Sequence, residues 1–181
     1  MRTITIATGN PGKVRELQAL AEGQFDFTMS NIHLEEIQSL DLHEIVEDKV
    51  RRAFAIIKQP VIIEDVSAGL DHLNGLPGPF FKFFEKTLGK ETFLKLSTVP
   101  NPTVTITCLA AYYDGSSMLF GEGKIHGSVV SPRGENGFGF DFTVVPDGQT
   151  RTMAEMSPAE KNAISHRGQA FRALLAEVNK L

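Results

Sequence analysis

The beginning of the chain combines a strand-like alternation with a helical spacing. The segment "RTITIA" (Arg2 to Ala7) alternates and is rich in β-branched residues, which predicts a strand. The "GNPG" that follows breaks this strand, and proline suits the first turn of a helix. Val14, Leu17 and Leu20 then share one face of a helix predicted from about Pro11 to Glu22.

The same order of elements follows once more. "FDFTM" predicts a second strand, and a helix is predicted near Glu44 to Lys58. "PVIIED" is a continuous apolar run that ends in two acids, which is typical of a strand buried on both faces of a parallel sheet. This alternation of strands and helices predicts an α/β fold. The buried face of the second helix consists of Val46, Val50, Ala53, Phe54 and Ile57.

The second half adds antiparallel structure. "GLPGPFFKFFEKTLG" predicts a loop that enters an aromatic helix, and a long hairpin should turn at Asp114-Gly115. The glycine-rich "PRGENGFGFDFTVVPDG" predicts a loop. Ser157-Pro158-Ala159-Glu160 is a capping box for a helix, and Ser165 can cap the final helix.

Composition excludes several classes of protein. The chain has 181 residues, 41% of them hydrophobic, and a net charge of -4, so it lacks the basic excess of a nonspecific nucleic-acid binder. No apolar run reaches the roughly 20 residues of a membrane span, and "MRTITIATGN" turns polar too soon for a signal peptide. Cys108 is the one cysteine and stands in an apolar run, so we expect a buried thiol and a cytoplasmic location.

The turn after the first strand is a candidate phosphate site. Backbone N–H groups at a helix start can hold phosphate, and Lys13 adds a full charge. Neither the P-loop pattern nor the dinucleotide fingerprint is present. The alternative is an ordinary strand–helix turn with a solvated lysine.

Three acids are candidates for metal binding or proton transfer. Glu64 and Asp65 come where the third strand should emerge, and ligands of open α/β sheets gather at the carboxyl ends of strands. A carboxylate there can hold Mg²⁺ or take a proton from water. Glu44 begins a helix, where the helix dipole alone is enough to explain an acid.

The aromatic residues of "GFGFDF" could hold a planar base. Phe138 and Phe140 flank Gly139 and precede Asp141, so that rings could stack on a planar ligand and the acid could accept hydrogen bonds. The alternative is that both rings belong to the core.

A cationic cluster stands at the beginning of the last helix. Lys161, His166 and Arg167 are unusual at a helix N-terminus, where the dipole disfavours cations. They are either solvated or meet something negative or electron-rich. Lys82 lies within "PFFKFFEK" and could be a lysine whose stem packs on aromatic rings.

Taken together and in this order, these segments resemble the inosine triphosphate pyrophosphatase family, with details closer to its archaeal and eukaryotic members. The segments that carry the resemblance are "ATGNPGKVRE", "EIQSLDLHEI", "VIIEDVSAGLDHLNGLPGPFFKFF", "FGFDFTVVPDG" and "TMAEMSPAEKNAISHRGQAF". The resemblance implies one domain over residues 1–181, with an elongated, curved mixed sheet flanked by helices and two lobes around a central cleft. It also implies a homodimer and Mg²⁺-dependent hydrolysis of purine nucleoside triphosphates such as ITP, dITP and XTP.

The resemblance also implies roles for individual residues. The metal carboxylates fall on Glu44 and Asp65, with Asp65 also the general base and Glu64 its acidic neighbour. The implied contacts with the nucleotide are Thr8, Gly9, Asn10, Lys13, Lys82, Phe138, Gly139, Phe140, Asp141, Lys161, His166 and Arg167.

The sequence departs from the family pattern at Val66, Ser67, Phe142 and Val144, which bears on base preference more than on the reaction. Two alternatives share the nucleotide chemistry: a Maf-like pyrophosphatase with another base preference, and a non-catalytic nucleotide-binding module. The motif of Nudix hydrolases is absent from the chain.

Overall fold

The first elements of the fold follow the predicted order. A computed structural model describes residues 2–21 and 23–181. It contains β1 (Arg2–Ala7), α1 (Pro11–Leu20) and β2 (Phe25–Ser30). The side chain of Asn10 caps α1, and the predicted end of this helix at Glu22 lies outside the described residues.

The second helix, α2 (Leu42–Ile57), begins two residues earlier than predicted. Its cap is Asp41, whose side chain accepts the N–H of His43 at 2.8 Å. This cap places Leu42 inside the helix and on its buried face.

The third strand extends beyond its predicted end. β3 (Val61–Leu70) passes through Glu64 and Asp65 instead of stopping there. Its parallel pairing with β1 reaches Ile62, and Ala68 then pairs antiparallel with β4 (Pro77–Gly78). The two acids therefore lie just past the parallel part of the sheet but inside the strand.

The central elements match the prediction. The aromatic segment forms α3 (Phe81–Leu88) and α4 (Thr92–Leu96). The hairpin consists of β5 (Thr103–Tyr113) and β6 (Met118–Val129). Asp114 Oδ1 accepts the N–H groups of Ser116 and Ser117 and so closes the predicted turn.

The segment after the hairpin was predicted as a loop, and this prediction was wrong. It holds a 3₁₀ helix (Gly139–Phe142) and a short strand, β7 (Val144–Pro146), which pairs antiparallel with β6. The glycine-rich composition has no periodic pattern from which either element could be predicted. The strand β7 depends on its pairing with β6, which the local sequence does not show. Two helices complete the chain, α5 (Pro158–Ile164) with the predicted capping box at Ser157 and α6 (His166–Val178).

The sheet is mixed, as predicted. Its strand order is β2-β1-β3-β5-β6-β7, with β4 beside β3. β1 runs parallel to β2 and β3, whereas β4 and β7 run antiparallel to their neighbours. The hairpin between β5 and β6 adds an antiparallel pair because its connection is short.

The chain divides into two compact units. The first unit comprises the chain up to Asp65, Cys108–Gly123 and Arg167–Leu181, and the second comprises Val66–Thr107 and Lys124–His166. The predicted elongation, curvature and central cleft stay predictions. Within the described ranges, no helix is both long and apolar enough to cross a bilayer.

Each unit has its own core. The core of the first unit contains Leu42, Val46, Val50, Ala53, Val61, Ile63, Leu109 and Ala111. In the core of the second unit, the ring of Phe81 contacts those of Phe93 and Phe140, at centroid distances of 4.7 Å and 5.3 Å. Such tilted and edge-on contacts are the favourable geometry for aromatic pairs.

Candidate active site

The turn after β1 is built to bring backbone and side-chain groups close together. Asn10 is extended, its N–H is donated to Thr8 Oγ1 at 3.1 Å, and its own Oδ1 accepts the N–H of Gly12 at 2.8 Å. A Cβ on Gly9 would lie 2.7 Å from Asn31 Oδ1, so the side chain of Asn31 packs closely over this turn. Two of the N–H groups predicted to meet phosphate are thus engaged within the turn, and a phosphate would have to replace these partners.

Glu64 is a buried carboxylate that holds two cations. Only 2% of its side chain is exposed, and its two oxygens contact the ammonium of Lys13 and, at 3.5 Å, the Nε of Arg167. Burial by itself would raise the pKa of Glu64, but the charges of Lys13 and Arg167 outweigh burial and hold this pKa well below its ordinary range. Because so firmly ionised a carboxylate is a poor base, we interpret Glu64 as a fixed counter-ion of Lys13 and Arg167.

The guanidinium of Arg167 has a second acidic partner. Its Nη1 lies 3.3 Å from Oε2 of Glu16 on α1, and only 5% of the Arg167 side chain is exposed. The unusual cation at the start of α6 therefore meets two carboxylates of the protein itself. Neither Glu16 nor this pairing was predicted from the sequence.

Cys108 is buried, as predicted, and lies next to the same carboxylate. Its Sγ is 3.5 Å from Glu64 Oε2. Burial and the negative charge of Glu64 raise the pKa of this thiol well above its ordinary value. The thiol is therefore protonated and inert at neutral pH.

A second ionic group joins α2 to β3. Lys49 Nζ donates to Asp65 Oδ2 at 2.7 Å and to Glu36 Oε2 at 2.9 Å, and each of these side chains is about one-fifth exposed. Burial lowers the pKa of Lys49, but Asp65 and Glu36 more than offset this and raise it overall. Two carboxylates thus converge on one positive charge.

Neither Lys49 nor Glu36 was predicted from the sequence, although both stand in detectable patterns. Lys49 stands three residues after Val46 and four before Ala53, on the buried face of α2. Glu36 continues the alternation of half-buried Ile32 and Leu34 in an extended segment. A charged residue in an apolar series is the pattern that could have identified each of them.

A pocket of about 250 Å³ in the first unit is lined by Lys13, Lys49 and Glu64 of these groups. Both lysines and the polar turn after β1 face it, so its polar lining suits an anion. The lining residues are Ile6, Ala7, Thr8, Gly9, Lys13, Ile32, His33, Leu34, Lys49, Ile63 and Glu64.

The geometry favours Glu36 over Glu44 as the acid beside Asp65. Glu44 is exposed and accepts the hydroxyl of Ser39 at 2.7 Å, whereas Glu36 and Asp65 share Lys49. Among the residues that the structure describes, no three His, Cys, Asp or Glu side chains are grouped as a metal cage. Mg²⁺ needs only one or two carboxylates when phosphate and water complete its shell, so the pair of Glu36 and Asp65 fits this ion.

In the second unit, Asp141 and Lys161 form a buried ion pair. Lys161 Nζ lies 2.6 Å from Asp141 Oδ2, which also accepts the N–H of Phe138 at 2.9 Å. Gly137 has φ 107°, and a Cβ there would lie 2.4 Å from the Asp141 carboxylate, so glycine permits this arrangement.

The two candidate stacking rings differ in exposure. Phe140 belongs to the core and lies 5.5 Å from the ring of His166, which is itself 1% exposed. Phe138 is 45% exposed, and Lys161 Nζ lies 5.1 Å from its centroid. Phe138 is therefore the ring that a planar ligand could cover, and Phe140 has the core role that was its alternative.

The remaining predicted residues have less specific surroundings. Lys82 is half-buried, and its Nζ lies 5.2 Å from the ring centroid of Phe83, which matches the packed lysine considered from the sequence. Gly139 has φ 61° and begins the 3₁₀ helix that carries Asp141. Ser165 is extended, as helix N-caps are, and its capping bond stays a prediction.

Comparison with known proteins agrees with the fold and the motifs. The model of the Ham1 family matches residues 4–177. The chain belongs to the Ham1 family. This assignment covers almost the whole described chain and removes the Maf-like alternative.

Named relatives of the Ham1 family resemble this chain closely. Inosine triphosphate pyrophosphatase 1 of Trypanosoma cruzi is 40% identical over 177 residues, which cover 96% of this chain and 90% of that protein. A HAM1 protein from Coxiella burnetii has a similar structure, with a TM-score of 0.85, 28% identity and full coverage of both chains. A dITP/XTP pyrophosphatase from Mycobacterium abscessus has a TM-score of 0.73 at 27% identity, over 97% of this chain and 98% of that one.

We predict that Glu64→Gln destabilises the protein by about 3 kcal/mol at pH 7, because it removes the carboxylate that pairs with Lys13 and leaves the buried Arg167 with Glu16 as its remaining acidic partner. The pKa of Glu64 is depressed in the folded state, so its contribution is complete above the ordinary glutamate pKa of about 4.3 and is lost as pH falls below it. In urea unfolding, the difference in unfolding free energy between the native protein and Glu64→Gln should therefore be constant between pH 7 and pH 5. It should decrease below about pH 4. Glu177→Gln, in an exposed pair with Lys180, is the control and should cost less than about 1 kcal/mol. An equally small loss in Glu64→Gln would contradict the counter-ion role.

Proposed function

We propose that this Ham1 protein hydrolyses non-standard purine nucleoside triphosphates such as ITP, dITP and XTP to the monophosphate and pyrophosphate. The observation that carries the proposal is a polar pocket of the first unit that is lined by Lys13 and Lys49, with Asp65 bonded to Lys49. The relative from T. cruzi is named for ITP, and the M. abscessus protein for dITP and XTP, which supports the choice of substrate.

The pocket can offset the charge of a triphosphate. Lys13 and Lys49 are donors held in place by acids, and the Thr8 turn adds polar groups. Donors that are fixed before the substrate arrives need not reorganise as charge develops on the phosphate oxygens. Positioning and charge stabilisation are the main work of an enzyme that transfers phosphoryl or nucleotidyl groups.

Asp65 is the proposed general base. Lys49 holds its Oδ2 and so fixes the orientation of the carboxylate. A carboxylate oriented in this way can accept a proton from the water that attacks the α-phosphorus, and pyrophosphate then leaves.

Mg²⁺ is the proposed cofactor, with Asp65 and Glu36 as its protein ligands. Bound there, the ion would draw negative charge from the phosphate oxygens. The carboxylates are hard oxygen donors of the kind that Mg²⁺ prefers. Glu44 stays the alternative that the family resemblance implied.

Recognition of the base is assigned to Lys161, Phe138 and His166 of the second unit. An ammonium only donates hydrogen bonds, so it suits the 6-oxo group of hypoxanthine or xanthine and opposes the 6-amino group of adenine. Asp141 keeps the Lys161 ammonium in place, and the exposed ring of Phe138 offers a stacking surface. A mismatch with such fixed donors can lower kcat/KM by a factor of about 10⁴.

A homodimer in the cytoplasm is proposed as the working form. An apolar groove of about 360 Å³ on α3 and α4 supports self-association, because the rings of Phe83 and Phe84 are 54% and 39% exposed there. A molar mass near 19.9 kDa in light scattering at micromolar concentration would contradict the dimer. The lone, buried Cys108 is compatible with a reducing compartment, and cell fractionation would test this location.

Purified protein with Mg²⁺ should release pyrophosphate from ITP, dITP and XTP, and ATP should be a poor substrate. Asp65→Asn should lower kcat for ITP by at least about 100-fold, because asparagine cannot take the proton. Asp48→Asn is the matched control, since Asp48 pairs with Arg52 on the exposed side of α2. Retention of ITP binding without turnover in the native protein would favour the non-catalytic alternative, and equal turnover of ATP and ITP would contradict the donor argument.

The pair Glu36→Gln and Glu44→Gln distinguishes the two candidate metal sites. Glu36→Gln should raise the Mg²⁺ concentration for half-maximal activity by about 10-fold or more, and Glu44→Gln should leave it nearly unchanged. Binding of Mn²⁺ to the free protein, followed by electron paramagnetic resonance, gives a readout independent of turnover. The opposite order of effects in both measurements would assign the metal to Glu44.

A further inference from the structure

A histidine in the second unit lies between two carboxylates, away from the residues assigned to the nucleotide. His126 is on the exposed face of β6, with its Nδ1 2.7 Å from Asp147 Oδ2 and its Nε2 2.9 Å from Asp71 Oδ2. Asp71 begins the 3₁₀ helix that directly follows β3, and Asp147 directly follows β7. One imidazole ring therefore connects three separate parts of the chain.

Both contacts can be hydrogen bonds only when the imidazole is protonated. A neutral imidazole has a single N–H, whereas an imidazolium donates from both nitrogens. A carboxylate accepts hydrogen bonds and does not donate them. When the imidazolium of His126 loses a proton, one ring nitrogen therefore faces a carboxylate oxygen with no hydrogen between them, and that contact becomes repulsive. The two contacts with carboxylates therefore favour the protonated form of His126.

The surroundings hold both acids in position. Thr105 Oγ1 donates to Asp71 Oδ1 at 2.8 Å, and the N–H of Asp147 donates to the backbone oxygen of His126 at 2.9 Å. Other titratable residues adjoin the three in sequence: His72, whose Nε2 accepts the N–H of Thr98 at 3.5 Å, and Lys124, two residues before His126 on the same face of β6. β7 contributes Val144, Val145 and Pro146 and no titratable side chain.

We propose that Asp71, His126 and Asp147 form a pH-dependent clasp that fastens the end of β3 and the turn after β7 to β6 in mildly acidic solution and opens in mildly alkaline solution. The clasp is independent of the proposed enzymatic function, because none of its three residues is assigned to substrate or metal. It sets the stability of the second unit over the range in which histidine changes charge.

The electrostatics of His126 and Asp71 agree with the clasp. The hydrogen bond to Asp147 raises the pKa of His126 most, burial opposes this, and the bond to Asp71 and the charges of both acids add to the rise. Burial would raise the pKa of Asp71, but its bonds with Thr103, Thr105 and His126 lower it overall. Because the pKa of His126 is raised on folding, the stabilisation is complete below about pH 6.5 and is lost as pH rises through the folded value.

The test compares thermal unfolding of the native protein and His126→Asn at pH 5.5 and pH 8.5. The variant should melt about 2 °C lower at pH 5.5 and at the same temperature as the native protein at pH 8.5. Sodium chloride at 1 M should reduce the difference at pH 5.5, since His126 is 46% exposed and its pairs are screened. His43→Asn is the control, because His43 is exposed and faces a single carboxylate at 3.9 Å. A difference that is absent at pH 5.5, or equal at both pH values, would overturn the clasp.

A second measurement does not depend on stability. The ring carbons of His126, followed by NMR across pH, should report protonation at a pH above the ordinary histidine value of about 6.5. Asp147→Asn should move this midpoint downward. A midpoint at or below the ordinary histidine value that does not respond to Asp147→Asn would refute the proposal.

Discussion

The burial of one carboxylate constrains the arrangement of the first unit. Glu64 follows Val61, Ile62 and Ile63 in β3, at a position where the apolar series would be expected to continue. Removing a carboxylate from water costs several kcal/mol, and here the cost is offset by Lys13 and Arg167. Because these two cations come from α1 and α6, the same charge that stabilises the site also fixes both helices against β3.

The second unit also contains a buried carboxylate that is paired with a cation. Asp141 is almost fully buried and holds the ammonium of Lys161 at 2.6 Å. In both units a cation proposed to contact substrate is bonded to an acid of the protein before the substrate arrives. A donor held in this way keeps its geometry, at the cost of stability whenever its partner is removed. Arg167 at the start of α6, which opposes the helix dipole, is explained by its pairing with Glu64 and Glu16. Lys161, predicted at this helix start, lies instead in the last turn of α5, where the dipole favours a cation.

Local patterns predicted most of the fold and only part of the site. The alternation of β1, the apolar face of α2 and the turn at Asp114 each lie within one stretch of chain, and all three are confirmed. The full length of β3 and the existence of β7 depend on partner strands elsewhere in the chain, which the local sequence does not show. Short glycine-rich segments such as the one around β7 carry too few residues to display a period.

The candidate site shows the same limit. Sequence motifs predicted Asp65 and Lys13 as site residues. Their partners, Lys49 and Glu64, follow from the tertiary structure. Glu36 is separated from Lys49 by an irregular segment and the start of α2, so their contact follows from the fold and from no spacing rule. The family resemblance implied Glu44, although an acid at a helix start is common for reasons unrelated to metals, and Glu36 was not predicted.

The position of bond cleavage tests the proposed reaction most directly. ITP should be hydrolysed by the native protein in water enriched in ¹⁸O, and the products should be separated and examined by mass spectrometry. Attack on the α-phosphorus predicts that the label enters the nucleoside monophosphate and that pyrophosphate is unlabelled. Label in pyrophosphate, or release of labelled orthophosphate, would contradict the proposed function.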